Sequence, residues 1–221
     1  MKKFSFDKLI VFCVTLFCIG CTNPFEPRDE NPQPSVAKLA LQAWNSFENG
    51  NYETALSKFI QITYHDTASM VGYHGKAWSY FLLNEPEIAL DNFDITISKG
   101  NTSNDPIAGL ALAYHASSEY SNSITEAKQL LENNSNYSLQ YQPEINSKDV
   151  RLVLGMSYFH IGDLAKAQEQ VDILAQSLQY FSYDPINPDS SNSWIFNNIE
   201  YNSYAEVLMV VIDSLDIRFG M

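Results

Sequence analysis

Beyond position 21 the chain has no cysteine. Its three, Cys13, Cys18 and Cys21, all fall in the opening stretch of a 221-residue sequence, so nothing past Cys21 can form a disulfide within a folded body. Basic side chains are scarce too: 13 lysines and arginines face 26 aspartates and glutamates, for a formal net charge of −13. Nucleic acid is a poor partner for such a surface, because phosphate binding needs a basic face that releases counterions. The acidity is enough to keep a protein soluble and does not by itself call for a cationic partner. The apolar run from Leu9 to Ile19 falls well short of the roughly 20 residues that a membrane-spanning helix needs.

Motifs that carry chemistry are also missing. The sequence has no Gly-rich phosphate loop, nucleophile elbow or paired-cysteine motif. Four histidines, His65, His74, His115 and His160, are scattered without an i, i+4 pair, so neither a metal nor a cofactor is expected. Asp184, Asn187 and Asp189 lack the order and the glycine of a calcium loop. Nothing supports an enzyme, and the expected role is non-catalytic.

What is present begins with a leader. Lys2 and Lys3 precede the apolar run, and Ile19-Gly20 precede Cys21, the layout of a secretory signal over residues 1–20. Gly20-Cys21 after an apolar residue resembles the bacterial lipobox, with Cys18 where a leucine is usual. That resemblance implies cleavage before Cys21 and attachment of diacylglycerol to it. Two or three acyl chains, at about 0.8 kcal/mol per buried methylene, would hold the protein to a membrane without a spanning helix. Thr22 after the cysteine implies export to the outer membrane if the cell is Gram-negative. Residues 21–34 hold Pro24, Pro27, Pro32 and Pro34, which favour an extended tether between anchor and body.

From Ser35 onward the chain repeats itself. Trp44 recurs as Trp78, Ala55 as Ala89 and Phe59 as Phe93, all at one and the same interval. A first unit over 35–66 joins a helix carrying Leu39, Ala43, Trp44 and Phe47 to one carrying Ala55, Leu56, Phe59 and Ile60. Gly50 supplies the turn between them. A second unit over 68–99 repeats the plan with Ala77 and Trp78, Asn84 in the place of Gly50, and Ala89 and Phe93. A third, 105–133, opens at Asp105-Pro106, read as an N-cap followed by proline at N1. There Ala127 is matched to Ala89, which implies extra residues in the turn near 117–122 and a capping box at Ser123-x-x-Glu126. After a long loop over 133–146, a fourth unit covers 147–177 with Leu154, Gly155, Tyr158 and Ala167. A second loop over 182–198 leads to a terminal helix within 199–219, whose apolar residues Tyr204, Val207, Leu208, Val211, Ile212 and Leu215 have helical spacing.

The period of 34 and the Leu-Gly-x-x-Tyr pattern at 154–158 resemble the tetratricopeptide repeat (TPR). The resemblance implies an all-α, TPR-like helical solenoid of about four helix hairpins with a C-terminal capping helix, within residues 35–221. It further implies that Ala43, Ala55, Phe59, Ala77, Ala89, Phe93, Ala127, Gly155, Tyr158 and Ala167 pack helix on helix. Trp44, Phe47, His74, Trp78, Phe81, Met156 and Phe159 fall at or near the wall made by the first helix of each pair. Aromatic rings there suit a protein or peptide partner, since they bury much area at little entropy cost. The family's carboxylate clamp of Lys, Arg and Asn is absent: Ala40, Trp44, His74, Trp78, Asp149 and Met156 stand in its places. With its lipobox and tether the chain resembles predicted TPR lipoproteins of environmental bacteria, a group with no assigned activity. The implied function is a lipid-anchored adaptor for a polypeptide in the cell envelope. Two other readings are an accessory lipoprotein of outer-membrane or pilus assembly, and a glycan-capture lipoprotein that stacks sugars on Trp44 and Trp78.

Overall fold

A computed structural model describes residues 35–177 and 194–219. The predicted signal, Cys21, the proline tether and the Asp184–Asp189 segment lie outside those residues. Among the described residues there are nine helices and two short hairpins. They run α1 (Val36–Glu48), α2 (Tyr52–His65), α3 (Met70–Leu82), α4 (Pro86–Ser98), α5 (Asp105–Ala116) and α6 (Tyr120–Asn133). Then come β1 (Ser138–Leu139), β2 (Gln142–Asn146), α7 (Ser147–His160), α8 (Leu164–Ser177), β3 (Trp194–Phe196), β4 (Ile199–Tyr201) and α9 (Tyr204–Phe219).

Local chemistry starts and stops these helices. The Ser35 hydroxyl accepts from the Lys38 amide at 3.3 Å and the Ser69 hydroxyl from the Gly72 amide at 3.3 Å, each satisfying a donor that a helix start would leave open. Every helix pair turns through one residue of positive φ: Gly50 at 74°, Asn84 at 64°, Ser118 at 62° and Gly162 at 83°. Glycine takes this conformation freely and asparagine readily, whereas a serine there is held by its surroundings.

Ser118 corrects the reading of the third unit. It stands one full period after Asn84, so the turn between α5 and α6 has no extra residues, and α6 starts at Tyr120. Ser123 is therefore no cap. It sits inside α6 at the small-residue position held elsewhere by Ala55, Ala89 and Ala167, fully buried, and its hydroxyl donates to the Ala111 carbonyl at 2.8 Å. Ala127 takes the register of Phe59 and Phe93 instead. At the head of α5 the boundary also moves by one: Asn104 is the cap position and Asp105 the first helical residue.

Each helix packs on the next, and the first helices also meet one another, α1 with α3, α3 with α5 and α5 with α7. Ala43, Ala55, Ala77, Ala89, Ala127 and Ala167 are fully buried, as are Phe59 and Phe93, while Tyr158 is nearly so. In α2 the buried isoleucine is Ile62; Ile60 faces out. Two glycines complete the joints between units. A Cβ on Gly75 would collide with the Phe59 ring, and one on Gly109 with the Phe93 ring. Each phenylalanine thus seats on bare backbone of the following unit, a contact that any larger residue would prevent.

Both long loops contain strand. Within 133–146, β1 and β2 pair antiparallel. The stretch Trp194-Ile195-Phe196 pairs with 199–201 through a tight turn at Asn197 and Asn198, both of positive φ, the geometry asparagine favours in short hairpins. Phe196 is buried against α9, while Ile195 and Ile199 are exposed. Helix α9 covers α7 and α8 with Val207, Leu208, Val211, Ile212 and Leu215, all buried. The Tyr204 hydroxyl reaches the Gln168 side chain at 3.3 Å.

Candidate functional site

The face built from α1, α3, α5 and α7 is where partner contacts were expected, and much of it is closed. Trp78 and Phe47 have no exposed surface, and Trp44 keeps 5%. Both indoles serve their own units: Trp44 meets the Phe59 ring edge-on at 4.8 Å, and Trp78 meets Phe93 in the same way at 5.2 Å. Phe81, Met156 and Phe159 are half-buried. A sugar-stacking platform needs an open ring face, and neither indole offers one here.

What closes Trp44 is a side chain from far along the chain. The β1–β2 hairpin folds back over the first-helix face, so that Tyr141 lies flat on Trp44 with ring centroids 4.1 Å apart and planes within 9°. Tyr137, at the hairpin's open end, and Leu139, beside its turn, are both buried in the core. The open end is tied to α7, where Asn146 caps the helix in a reciprocal pair: the Asn146 side chain accepts from the Lys148 amide at 3.0 Å, and the Asp149 carboxylate accepts from the Asn146 amide at 2.6 Å. Asp149 is therefore spent on a cap. The sequence signal for this hairpin was only the length of the loop.

Beside the Trp44–Tyr141 stack opens a cleft of about 420 Å³, lined by Trp44, Met70, Val71, His74, Asp105, Gln140, Tyr141 and the loop 100–103. That volume suits a small ligand or one or two side chains of a larger one. His74 forms part of its floor. Its Nε2 accepts the Trp78 indole hydrogen at 3.0 Å, and the same nitrogen lies 3.9 Å from an Asp105 oxygen. The nearby carboxylate favours a charged imidazole, but burial opposes it more strongly and holds the pKa down at about 4. A ring that is already accepting at Nε2 is neutral, so the His74–Asp105 approach is not an ion pair. Burial pushes the Asp105 carboxyl above its usual range. The Tyr137 hydroxyl faces Asp105 closely enough to oppose that shift, although it completes no hydrogen bond of good geometry. Asp105 and Tyr141, which set the cleft's charge and its aromatic wall, were not among the sequence candidates.

A second, smaller opening of about 140 Å³ brings Met156 and Phe159 together with His160, Met209, Ile212 and Asp213. Nearby, His115, Ser157 and Ser123 form a chain. His115 Nδ1 and Ser157 Oγ are 2.8 Å apart, Ser157 donates to Ser123 Oγ at 3.1 Å, and Ser123 donates to the Ala111 carbonyl. With those donors committed, Nδ1 of His115 carries the proton. Burial and the neighbouring His160 lower its pKa to about 4. Both serines are fully buried, so this Ser–His contact is a brace between α5, α6 and α7 rather than a nucleophile facing a substrate. Among the described residues no group of three or more His, Cys, Asp or Glu is placed to hold a metal, and no helix is long and apolar enough to cross a membrane.

No protein-family model matches the chain, and no curated protein matches it. Solved structures do. YrrB, a TPR protein with an unusual peptide-binding site, superposes with a TM-score of 0.53 at 17% identity, over 64% of this chain and 68% of that one. A tetratricopeptide repeat protein from Parabacteroides merdae gives 0.55 at 15% identity, over 87% and 62%. A thermophilic TPR protein of Thermus thermophilus gives 0.51 at 16% identity, over 96% and 98%. At these identities the likeness is one of fold: an all-α TPR-like solenoid.

Proposed function

We propose that this TPR-like solenoid is a non-catalytic scaffold, anchored to a membrane by lipid on Cys21, which binds a protein or peptide partner in the cell envelope. The observation that carries the binding half is the cleft beside Tyr141 and Trp44, on the face where solenoids of helix pairs present their binding surface. The contact residues are those that border an opening: Trp44 and His74 at the larger cleft, Met156 and Phe159 at the smaller. YrrB, named for its peptide-binding site, is similar in fold and supports a polypeptide as the partner. The anchoring half rests on Gly20-Cys21 and the proline-rich stretch that follows. An outer-membrane address follows from Thr22 if the envelope is Gram-negative.

Each half has its own test. Feeding cells an alkyne-tagged fatty acid should label the protein, and Cys21→Ser should abolish the label and release the product from membranes; persistent labelling contradicts the anchor. A photo-crosslinking residue at Gln140, at the mouth of the cleft, should capture a discrete polypeptide in native membranes. One at Tyr64, which is 81% exposed on α2, should capture far less, and equal capture would contradict the binding face.

A further inference from the structure

We propose that the cleft beside Tyr141 recognises a positively charged side chain, lysine or arginine, of the partner polypeptide, with Asp105 as the counter-ion. This rests on reading that face as the partner site and adds the partner's chemistry. The Asp105 side chain is 23% exposed, and the groups facing it are His74, neutral, and the Tyr137 hydroxyl. No lysine or arginine is among the residues that line the cleft. Lys99, next to the lining loop, is held elsewhere: its ammonium donates to the Thr67 carbonyl at 2.8 Å and lies 4.9 Å over the Tyr73 ring. Among the described residues, then, the cleft holds a partly desolvated carboxylate with no cation beside it, a costly arrangement that an incoming cation would relieve.

An aspartate in the first turn of α5 is at home with the helix dipole, which accounts for the residue but not for the opening before it. The walls of that opening match a long basic side chain. Met70 and Val71 offer apolar surface to a methylene stem, and the Tyr141 ring is available to a guanidinium or ammonium. The hairpin tip, through Gln140, adds an amide that can accept from the same cation. The field of a chain with a net charge of −13 draws such a partner in. Charge here is opposite to that of the Lys/Arg/Asn clamp, whose positions this sequence fills with other residues.

The test uses the full-length protein in detergent and a capped tetralysine peptide, read by titration calorimetry and tryptophan fluorescence. Acetylating the four side-chain amines should weaken binding by about tenfold or more, and Asp105→Asn by about tenfold, with melting unchanged. Glu132→Gln, which removes an exposed charge away from the cleft, should change it less than about twofold. Gln140→Glu should tighten binding a few-fold, a gain that does not depend on how Asp105→Asn folds. Equal binding of the acetylated peptide, or equal losses from Asp105→Asn and Glu132→Gln, would overturn the proposal. So would n-butylamine binding as tightly as the peptide, which would make the cleft a small-amine site. None of these results bears on the crosslink from Gln140, which tests the binding face without regard to charge.

Discussion

The first two units and the last two share one backbone plan and fill it in opposite ways. In the first pair, a phenylalanine of one unit seats on a glycine of the next, Phe59 on Gly75 and Phe93 on Gly109, at the same offset each time. At the third joint the same two positions hold Ala127 and Val153, once the insertion that carries the β1–β2 hairpin is allowed for, and both are buried. The large residue has moved across the joint. Companion positions follow: Trp44 and Trp78 give way to Leu112 and Met156, and a buried hydroxyl, Ser123, replaces alanine and links with Ser157 and His115. Several positions change together at this joint, which close-packed cores tolerate better than a single change in size or shape. Leu41 fits the scheme from the other side. It lies one period before Gly75, no described unit precedes it, and it is 73% exposed.

That contrast can be broken most forcefully at the aromatic joints. Phe93→Ala should cost about 3–5 kcal/mol in urea denaturation, whereas Ala127→Gly, at the same register, should cost about 1 kcal/mol. Equal losses would mean that the two joints are not built differently. Acid is the next largest effect. The His74 pKa is lowered from 6.5 to about 4, so the unfolded chain takes up a proton before the folded one does. His74 therefore contributes stability that is present above pH 6.5 and lost as pH falls towards 4, by about 3 kcal/mol at most. His115 adds a loss in the same window. His74→Gln should flatten the curve of melting temperature against pH, and an unchanged curve would contradict the neutral imidazole.

Smaller effects sharpen the comparison. Gly75→Ala should destabilise by about 1–3 kcal/mol through collision with the Phe59 ring, and Phe59→Leu should recover part of that loss in the double variant. Simple additivity of the two losses would show that the contact is not what sets the cost. Ser123→Ala is the mildest. Alanine is the residue used at this position in the other units, yet the Ser157 hydroxyl would lose its acceptor, at about 1–2 kcal/mol in thermal melting. A neutral result would mean that the brace contributes nothing measurable.

The helix-pair plan was legible because three residue types recurred at one spacing and small residues marked the close approaches. The third unit was harder, since its small buried residue is a serine, and hydropathy does not announce a hydroxyl that is satisfied internally. The better marker was the turn, where Ser118 follows Asn84 by exactly the repeat period. Gly75 and Gly109 carried the same period, but a glycine inside a helix reads as a weakness until the ring that lies on it is seen. The binding face was legible only as a set of helical positions. Which of them stay open depends on the β1–β2 hairpin returning to Trp44, a contact that no local pattern encodes.

The most direct test of the account is hydrogen exchange on the full-length protein, alone and bound to the partner captured through Gln140. Slowed exchange in the hairpin 137–146, the first turn of α3 and the loop 100–105 is the predicted result. Protection confined to the outward helices α2 and α4, with those three segments unchanged, would contradict it.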